Sequence, residues 1–377
     1  MIKVVHTINA FTPATGGTAT CTYDLLCALN LRKDIHAQAL VTLPVQPLMG
    51  HGETWIKAVP DDEKTPFGFS VNLRQALQQS EADIYHTNGL WRYCNHVTAT
   101  VARQKGKPYI ITPHGMLYPQ ALAQSKYQKK LLRWAMFDRD IREAACIHVT
   151  CREEMQVVRA LGFTNPIAVV GNPVLTPPVQ PVMRSSRVTF GYLGRLHPRK
   201  HVERLIHAMA RLSNEEQAQC ELIIIGSGEP AYEAFLRDRS KCLQLTNIRF
   251  AGFVAGEEKQ RLLASLSALL VPSDFENFGM IVPEALHCGT PVWASTGTPW
   301  QLLPERGCGW WQEPKEENIV STMRQILAMN PNEIDEMGNK GRKLVRECFA
   351  TPIVAQQITE LYNWILAKQS KPSFVYD

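Results

Sequence analysis

Short, largely apolar runs alternate with stretches of helical period along the whole chain. Residues 4–8, 37–43, 84–86, 109–111, 146–149 and 167–170 have the pattern of short strands buried on both faces. Between them, 20–31, 95–104, 127–143 and 152–161 carry apolar residues at the three- and four-residue spacing of a helix. Repeated strand–helix units of this kind predict a parallel sheet covered by helices on both sides. The pattern breaks near Asn172, where Pro173, Pro177, Pro178 and Pro181 suit a stiff, extended linker. A second series follows, with strands predicted at 188–193, 222–225, 248–250, 268–271 and 292–294, and helices at 201–211, 232–240, 257–266 and 281–286. The chain thus reads as two doubly wound α/β domains, 1–171 and 187–351, joined by a linker over 172–186.

Length agrees: 377 residues suffice for two domains, each with its own core. Apolar residues make up 45% and charged residues 20%, which sets disorder aside. The net charge of +5 suits an anionic small molecule or a membrane surface and is too diffuse for nucleic acid. Ten scattered cysteines without a CxxC pair read as reduced thiols in the cytosol, with no metal site. The first residues read as a buried strand, not as a signal peptide. No apolar run reaches the roughly 18 residues of a membrane span. A cytoplasmic protein is expected, free or peripheral on the inner face of the cytoplasmic membrane.

In paired domains of this type, ligands sit in a cleft at the carboxyl ends of the strands, and the candidate chemistry lies there. Gly16 and Gly17 follow the first strand and precede a helix, where a backbone without side chains approaches an anion closely. Arg195 and Lys200 flank a turn after 188–193, as two cations that clamp a diphosphate would. Gly226 begins a glycine-rich loop after 222–225. In Pro272-Ser273-Asp274-Phe275-Glu276-Asn277-Phe278-Gly279-Met280, a strand runs into a loop and then a helix bearing Glu284. Glu276 and Glu284 are spaced to grip hydroxyls of one polar ligand, and the amides of Asn277–Met280 lie at the helix start. His86 and His114 each follow or end a strand; a lone histidine there more often serves as a structural hydrogen-bonder. H-E-x-x-H, G-x-S-x-G and the G-x-x-x-x-G-K-[ST] phosphate loop are absent, which sets aside zinc and serine hydrolases and nucleotide triphosphatases.

Together these residues resemble the signature of family 4 retaining glycosyltransferases of the GT-B fold, P-S-x-x-E-x-F-G-x-x-x-x-E-A-x-x-x-G-x-P-V. Pro272-Ser273, Glu276, Phe278-Gly279, Glu284-Ala285, Gly289 and Pro291-Val292 fit it position by position. The resemblance extends to Pro13-x-x-Gly16-Gly17, to Gly194-Arg195-x4-Lys200 and to Gly252-Phe253-Val254. It implies two Rossmann-like domains facing a central cleft, with the first on the acceptor side and the second binding a nucleotide sugar. It also implies that helix 352–368 packs back on the first domain. By the same resemblance Arg195 and Lys200 bind the donor diphosphate, Glu284 the ribose, and Glu276 the transferred sugar. Phe278, Gly279 and Met280 meet the sugar's phosphate end, Phe253 and Val254 line the base pocket, and His114 lies beside the donor sugar. Two departures stand out: the usual glycine after the lysine is His201, and the usual G-G-x-P-E is Thr296-Gly297-Thr298-Pro299-Trp300, with a tryptophan expected at the surface.

The activity implied is retaining, metal-independent hexosyl transfer from a nucleotide diphosphate sugar, UDP-linked first and GDP-linked next, with no cofactor. Residues 126–137 interleave Lys126, Lys129, Lys130 and Arg133 with Tyr127, Leu131, Leu132, Trp134 and Phe137. That interleaving suits an anionic membrane face and equally a packed helix with a basic edge. On the first alternative the acceptor is a lipid-linked glycan in cell-surface polysaccharide or lipopolysaccharide synthesis. A nucleotide-sugar 2-epimerase of the same fold and a non-catalytic nucleotide-sugar-binding protein fit the same residues. The first would act without an acceptor, and the second would hold donor without turnover.

Overall fold

The computed structural model describes residues 1–12, 17–42, 53–59, 67–180, 182 and 184–377. Gly16 with the rest of 13–16, residue 43 of the second predicted strand and Pro181 of the predicted linker lie outside the described residues. The chain forms two compact units, Met1–Leu175 with Thr351–Asp377, and Thr176–Ala350.

The first unit is built on strands β1 (Ile2–Ile8), β2 (Ile35–Val41), β3 (Ile56–Ala58), β4 (Ile84–Asn88), β5 (Tyr109–Thr112), β6 (Cys146–Val149) and β7 (Ile167–Val169). They pair in parallel in the order β7-β6-β5-β4-β1-β2-β3, and Val375–Tyr376 adds an antiparallel edge beside β7. Six of the seven residues of β1 are buried, as expected of a central strand covered on both faces. One face packs around Tyr85, Val97, Ile111 and Phe137. The other packs around Val4, Leu26, Ile84 and Ile110, and is covered in part by the helix Thr351–Ile365 through Val354, Ile358, Leu361 and Tyr362. That helix also lies against the helix Gly17–Asn30.

Three elements of this unit differ from the sequence pattern. The strand β3 is too short to show a period. The helix Val71–Gln79 buries only Leu73 and Leu77, so its signal lies in the cap, where Ser70 Oγ accepts from Leu73 N at 3.1 Å. The helix predicted over 127–143 is divided into Lys126–Leu132, a π turn over Arg133–Phe137, and Asp138–Arg142. The wider turn breaks the helical phase and turns Phe137 inward, while Trp134 stays outside.

The second unit holds β8 (Val188–Leu193), β9 (Cys220–Ile225), β10 (Ile248–Gly252), β11 (Ala268–Val271), β12 (Val292–Ser295) and β13 (Gly309–Gln312), all parallel in the order β10-β9-β8-β11-β12-β13. The helix Pro331–Cys348, which the sequence reading passed over, opens with a capping box: Asn330 Oδ1 accepts from Glu333 N and Glu333 Oε2 from Asn330 N. It packs on the helix Ile281–His287, which carries Glu284. The approach is close, because a Cβ at Gly338 would lie 2.1 Å from the Gly289 carbonyl oxygen. Helix propensity favours Gly338→Ala by about 1 kcal/mol, but the backbone carbonyl cannot yield. We expect the substitution to lower unfolding free energy by about 1–3 kcal/mol in urea titration.

Candidate functional site

In the second unit the loops after β8 and β9 lie one on the other. A Cβ at Gly226 would sit 1.9 Å from the Gly194 carbonyl oxygen, and one at Gly228 would sit 1.8 Å from that of Leu196. Gly226 is therefore required by the neighbouring backbone. On the first of these loops Arg195 is exposed and makes no ion pair among the described residues. Five residues on, the Lys200 ammonium pairs with Glu276 in the loop after β11. Ser273 Oγ donates to the same carboxylate oxygen at 2.9 Å, and Glu276 N donates to Gly297 O at 2.9 Å. The lysine is 28% and the glutamate 16% exposed at the side chain, so solvent screens this pair less than a surface one.

Both departures from the family pattern have a structural account. His201 ends the short 3₁₀ turn Pro198–Lys200 with φ 50°, the left-handed conformation that glycine adopts at least cost. Its ring contacts Glu203 at 2.9 Å and Asp274 at 2.5 Å, which ties the Lys200 turn to the Glu276 loop. Trp300 is buried, at 1% exposure, which corrects the expectation of a surface position. Its indole N–H donates to Phe278 O at 2.5 Å, and its ring packs edge-on against Phe278 and Phe349. The tryptophan is a prop beneath the signature loop, a role that no local pattern in 296–300 announces.

Asn277 is partly buried and Phe278 buried, Gly279 has φ 72°, and Met280 precedes the helix Ile281–His287. Glu284 on that helix pairs with Lys259 Nζ at 2.8 Å, a cation the sequence reading missed. Phe253 and Val254 follow β10 at the edge of the sheet, with Phe253 75% exposed.

In the first unit Gly17 opens its helix and is exposed. His114 follows β5 with φ 50°, and its Nε2 lies 3.4 Å from Asn88 Oδ1. Its loop is held by Glu154, whose carboxylate accepts from Gly115 N at 2.5 Å and Thr150 N at 3.0 Å. Burial, then the neighbouring His148, pull the His114 ring down to about 3, so it is neutral at pH 7. His86 is fully buried, and both of its nitrogens meet protein: Nδ1 faces Tyr362 Oη at 2.8 Å and Nε2 faces Thr112 Oγ1 at 2.7 Å. Asn88 and Tyr362 were also missed; only the Thr87-Asn88-Gly89 turn after a strand hinted at the first.

On the helix Lys126–Leu132 and its π turn, Tyr127, Leu131 and Trp134 are 87%, 62% and 82% exposed. Tyr127 and Leu131, four residues apart on the same helix, share a face, and Trp134 follows them in the π turn. Lys126, Lys129, Lys130, Arg133 and Trp134 line a groove of about 520 Å³. Among the described residues no helix is long and apolar enough to cross a membrane, and no group of three or more His, Cys, Asp or Glu is placed to hold a metal ion.

Two parallel Rossmann-like sheets with this signature loop define a glycosyltransferase of the GT-B fold. Residues 16–173 match the family described as Glycosyl transferase 4-like domain and residues 179–344 that described as Glycosyl transferases group 1. The chain belongs to the group 1, family-4-like glycosyltransferases. It is 24% identical over 304 residues to the gpi3 subunit of phosphatidylinositol N-acetylglucosaminyltransferase of Schizosaccharomyces pombe, covering 79% of this chain and 62% of that one. It is 28% identical over 174 residues to MMP alpha-(1->4)-mannosyltransferase of Mycolicibacterium hassiacum, covering 45% and 41%. The chain thus spans less than two thirds of the length of these relatives. Sucrose-phosphate synthase from Thermosynechococcus elongatus shares the fold at TM-score 0.77 and 20% identity, over 98% of this chain and all of that one. Anabaena Alr3699/HepE, in complex with UDP and glucose, does so at 0.77 and 18%, over 97% of this chain and all of that one.

The buried histidines make stability depend on pH. Burial lowers His6 to about 3 and His148 to about 4 from an ordinary 6.5, so the unfolded chain takes up protons first as pH falls. The stabilisation is complete above pH 6.5 and is lost progressively toward pH 4, by up to about 1.4 kcal/mol per pH unit for each ring. Urea unfolding at pH 7, 6, 5 and 4.5 should show this decline.

Proposed function

We propose that the protein transfers a hexosyl group from a nucleotide diphosphate sugar to a glycan acceptor with retention at the anomeric carbon and without a metal ion. The observation that carries this reading is the Lys200–Glu276 pair, closed by Ser273, with Arg195, which makes no ion pair among the described residues, on the same loop as the lysine. The second unit is proposed as the donor side and the first as the acceptor side. In transfer through an oxocarbenium-like state the leaving diphosphate gains negative charge. Arg195 and Lys200 would stabilise that charge as it develops. An arriving diphosphate draws on Lys200, which frees Glu276 to take a sugar hydroxyl. Glu284 would take the ribose, oriented by its ion pair with Lys259. Phe253 and Val254 would meet the base, Phe278–Met280 the sugar's phosphate end, and Gly16 and Gly17 the donor from the other unit. His114 would lie beside the transferred sugar.

The donor proposed is a UDP-sugar, with a GDP-sugar next. The structural relative Alr3699/HepE is described in complex with UDP-glucose, while a sequence relative in Corynebacterium glutamicum is described as GDP-mannose-dependent. The exposed Tyr127, Leu131 and Trp134 beside Lys126 and Lys130 support a lipid-linked acceptor at an anionic, cytoplasmic membrane face, in polysaccharide or lipopolysaccharide assembly.

A thermal-shift screen of UDP-, GDP- and ADP-sugars in EDTA tests the donor site. One nucleotide should stabilise the wild type, by about 2.7 kcal/mol at a hundredfold excess over Kd. Glu284→Ala should lose that response, and Arg195→Ala should weaken donor affinity about 10–100-fold, the worth of a charged hydrogen bond. No response to any donor would refute the reading; turnover without acceptor into an epimer would favour the epimerase, and binding without product when acceptor is supplied would favour the binding protein. For the membrane face, the chain should sediment with phosphatidylglycerol vesicles more than with phosphatidylcholine vesicles. Trp134→Ala with Leu131→Ala should lower that binding at least tenfold.

A further inference from the structure

The sheet face covered by the helix Thr351–Ile365 changes character along its strands. Val4, Ile84, Ile110, Cys146 and Ala168 form its apolar part. Two residues further along the same strands the face carries His6, His86, Thr112 and His148 and reaches Val170, since residues i and i+2 share a face. His6, His86 and Thr112 are fully buried, His148 nearly so, and Tyr362 enters among them from the helix. Sealed polar atoms need partners, and here each finds one.

Seven contacts join these groups to His114: His114 Nε2 to Asn88 Oδ1 (3.4 Å), Asn88 Nδ2 to His6 Nδ1 (3.3 Å), His6 Nε2 to Tyr362 Oη (2.8 Å), Tyr362 Oη to His86 Nδ1 (2.8 Å), His86 Nε2 to Thr112 Oγ1 (2.7 Å), Thr112 Oγ1 to His148 Nδ1 (2.9 Å) and His148 Nε2 to Val170 O (2.9 Å). Their direction follows from the last. A carbonyl oxygen only accepts, so His148 Nε2 carries the hydrogen. Burial holds these rings neutral at pH 7, so each has one donor and one acceptor nitrogen. His148 Nδ1 then accepts, and the Thr112 hydroxyl donates to it. That hydroxyl's oxygen accepts from His86 Nε2, and His86 Nδ1 accepts from the Tyr362 hydroxyl. The Tyr362 oxygen accepts from His6 Nε2, and His6 Nδ1 accepts from the Asn88 amide. A second anchor agrees: Asn88 Nδ2 also donates to the Thr7 carbonyl at 3.3 Å, which turns Asn88 Oδ1 toward His114 as an acceptor. Reversing any single ring would set two hydrogens or two lone pairs face to face in a site that water does not reach.

We propose that Asn88, Tyr362 and Thr112, with His6, His86 and His148, form a one-way hydrogen-bond relay that holds His114 as the Nε2–H tautomer and leaves its Nδ1 as an acceptor for a ligand hydroxyl. They are positioning residues: none needs to touch substrate, and His86 acts through the relay. The part about the ligand rests on the proposed place of His114 beside the donor sugar; the tautomers do not.

Long-range ¹⁵N–¹H correlation spectra of the full chain, labelled at the imidazole nitrogens and recorded at pH 7, read each tautomer directly. All four rings should be Nε2–H. A ring found as Nδ1–H, or charged, overturns the relay. In Asn88→Ala, His114 should relax to a tautomer mixture while His6, His86 and His148 keep Nε2–H through the Val170 anchor; a His114 unchanged in this variant overturns it too. The unchanged signals of His86 and His148 report that the variant is folded, and the wild-type spectrum decides the matter if it is not. Thr112→Val should shift the His86 Nε2 and His148 Nδ1 signals, and Thr112→Ser should restore them. UDP-glucose or GDP-mannose should then move His114 Nδ1 upfield as it accepts a hydrogen bond. Wild-type tautomers as stated with no such movement would overturn the ligand part alone, and failure of that part is separable from failure of the relay.

Discussion

Parallel strands all leave a sheet on the same side, and every connection back to the start must begin there. That constraint governs both units. The carboxyl edge of each sheet is where backbone is free of the ladder, where glycines permit close approach and where polar side chains reach out of an apolar interior. Lys200 follows β8, Gly226 follows β9, Phe253 follows β10 and Glu276 follows β11, while His86 and Asn88 close β4 and His114 follows β5. The chemistry gathers at this edge because the topology leaves it nowhere else.

Gathering is not positioning, and the second requirement is met by packing under the loops. Gly194 and Gly226 lie backbone to backbone, His201 bridges two loops, and Trp300 supports the carbonyl of Phe278. The left-handed backbone of His201 costs a residue with a side chain about 1–2 kcal/mol relative to its ordinary conformations. A contact to a charged partner is worth about 1.5–3 kcal/mol where sheltered and about 0–1 kcal/mol where exposed, so its links to Glu203 and the half-exposed Asp274 together offset that cost. A glycine would fit the turn more cheaply and hold it less well.

What was legible in the sequence follows from the same division. Strand and helix periods are local, so the alternation of elements and the two parallel sheets could be read directly. The loop residues 272–280 could be read because a family signature fixes their spacing. What could not be read depends on partners distant in sequence. Trp300 looks like a surface residue until Phe349 covers it, and Lys259 is one cation among many until it meets Glu284. His86 was placed by its strand end, but its bonding is decided by Tyr362, some 276 residues away. The π turn at Arg133–Phe137 escaped because a single widened turn leaves the average period of a helix almost unchanged.

The first unit is discontinuous: its last helix and edge strand come from Thr351–Asp377, after the whole of Thr176–Ala350 has intervened. During synthesis the ribosome delivers β1 to β7 before the second unit, and Tyr362 only after both. Until then the apolar face that Val354, Ile358 and Leu361 will cover is open, and His6 and His86 lack the hydroxyl that lies between them. The second unit is free to fold as one contiguous segment while the first waits. A nascent chain stalled or cut before residue 351 would therefore expose an unfinished surface for chaperones and proteases to recognise, which makes completion of the first unit a checkpoint on having made everything through Thr351–Asp377.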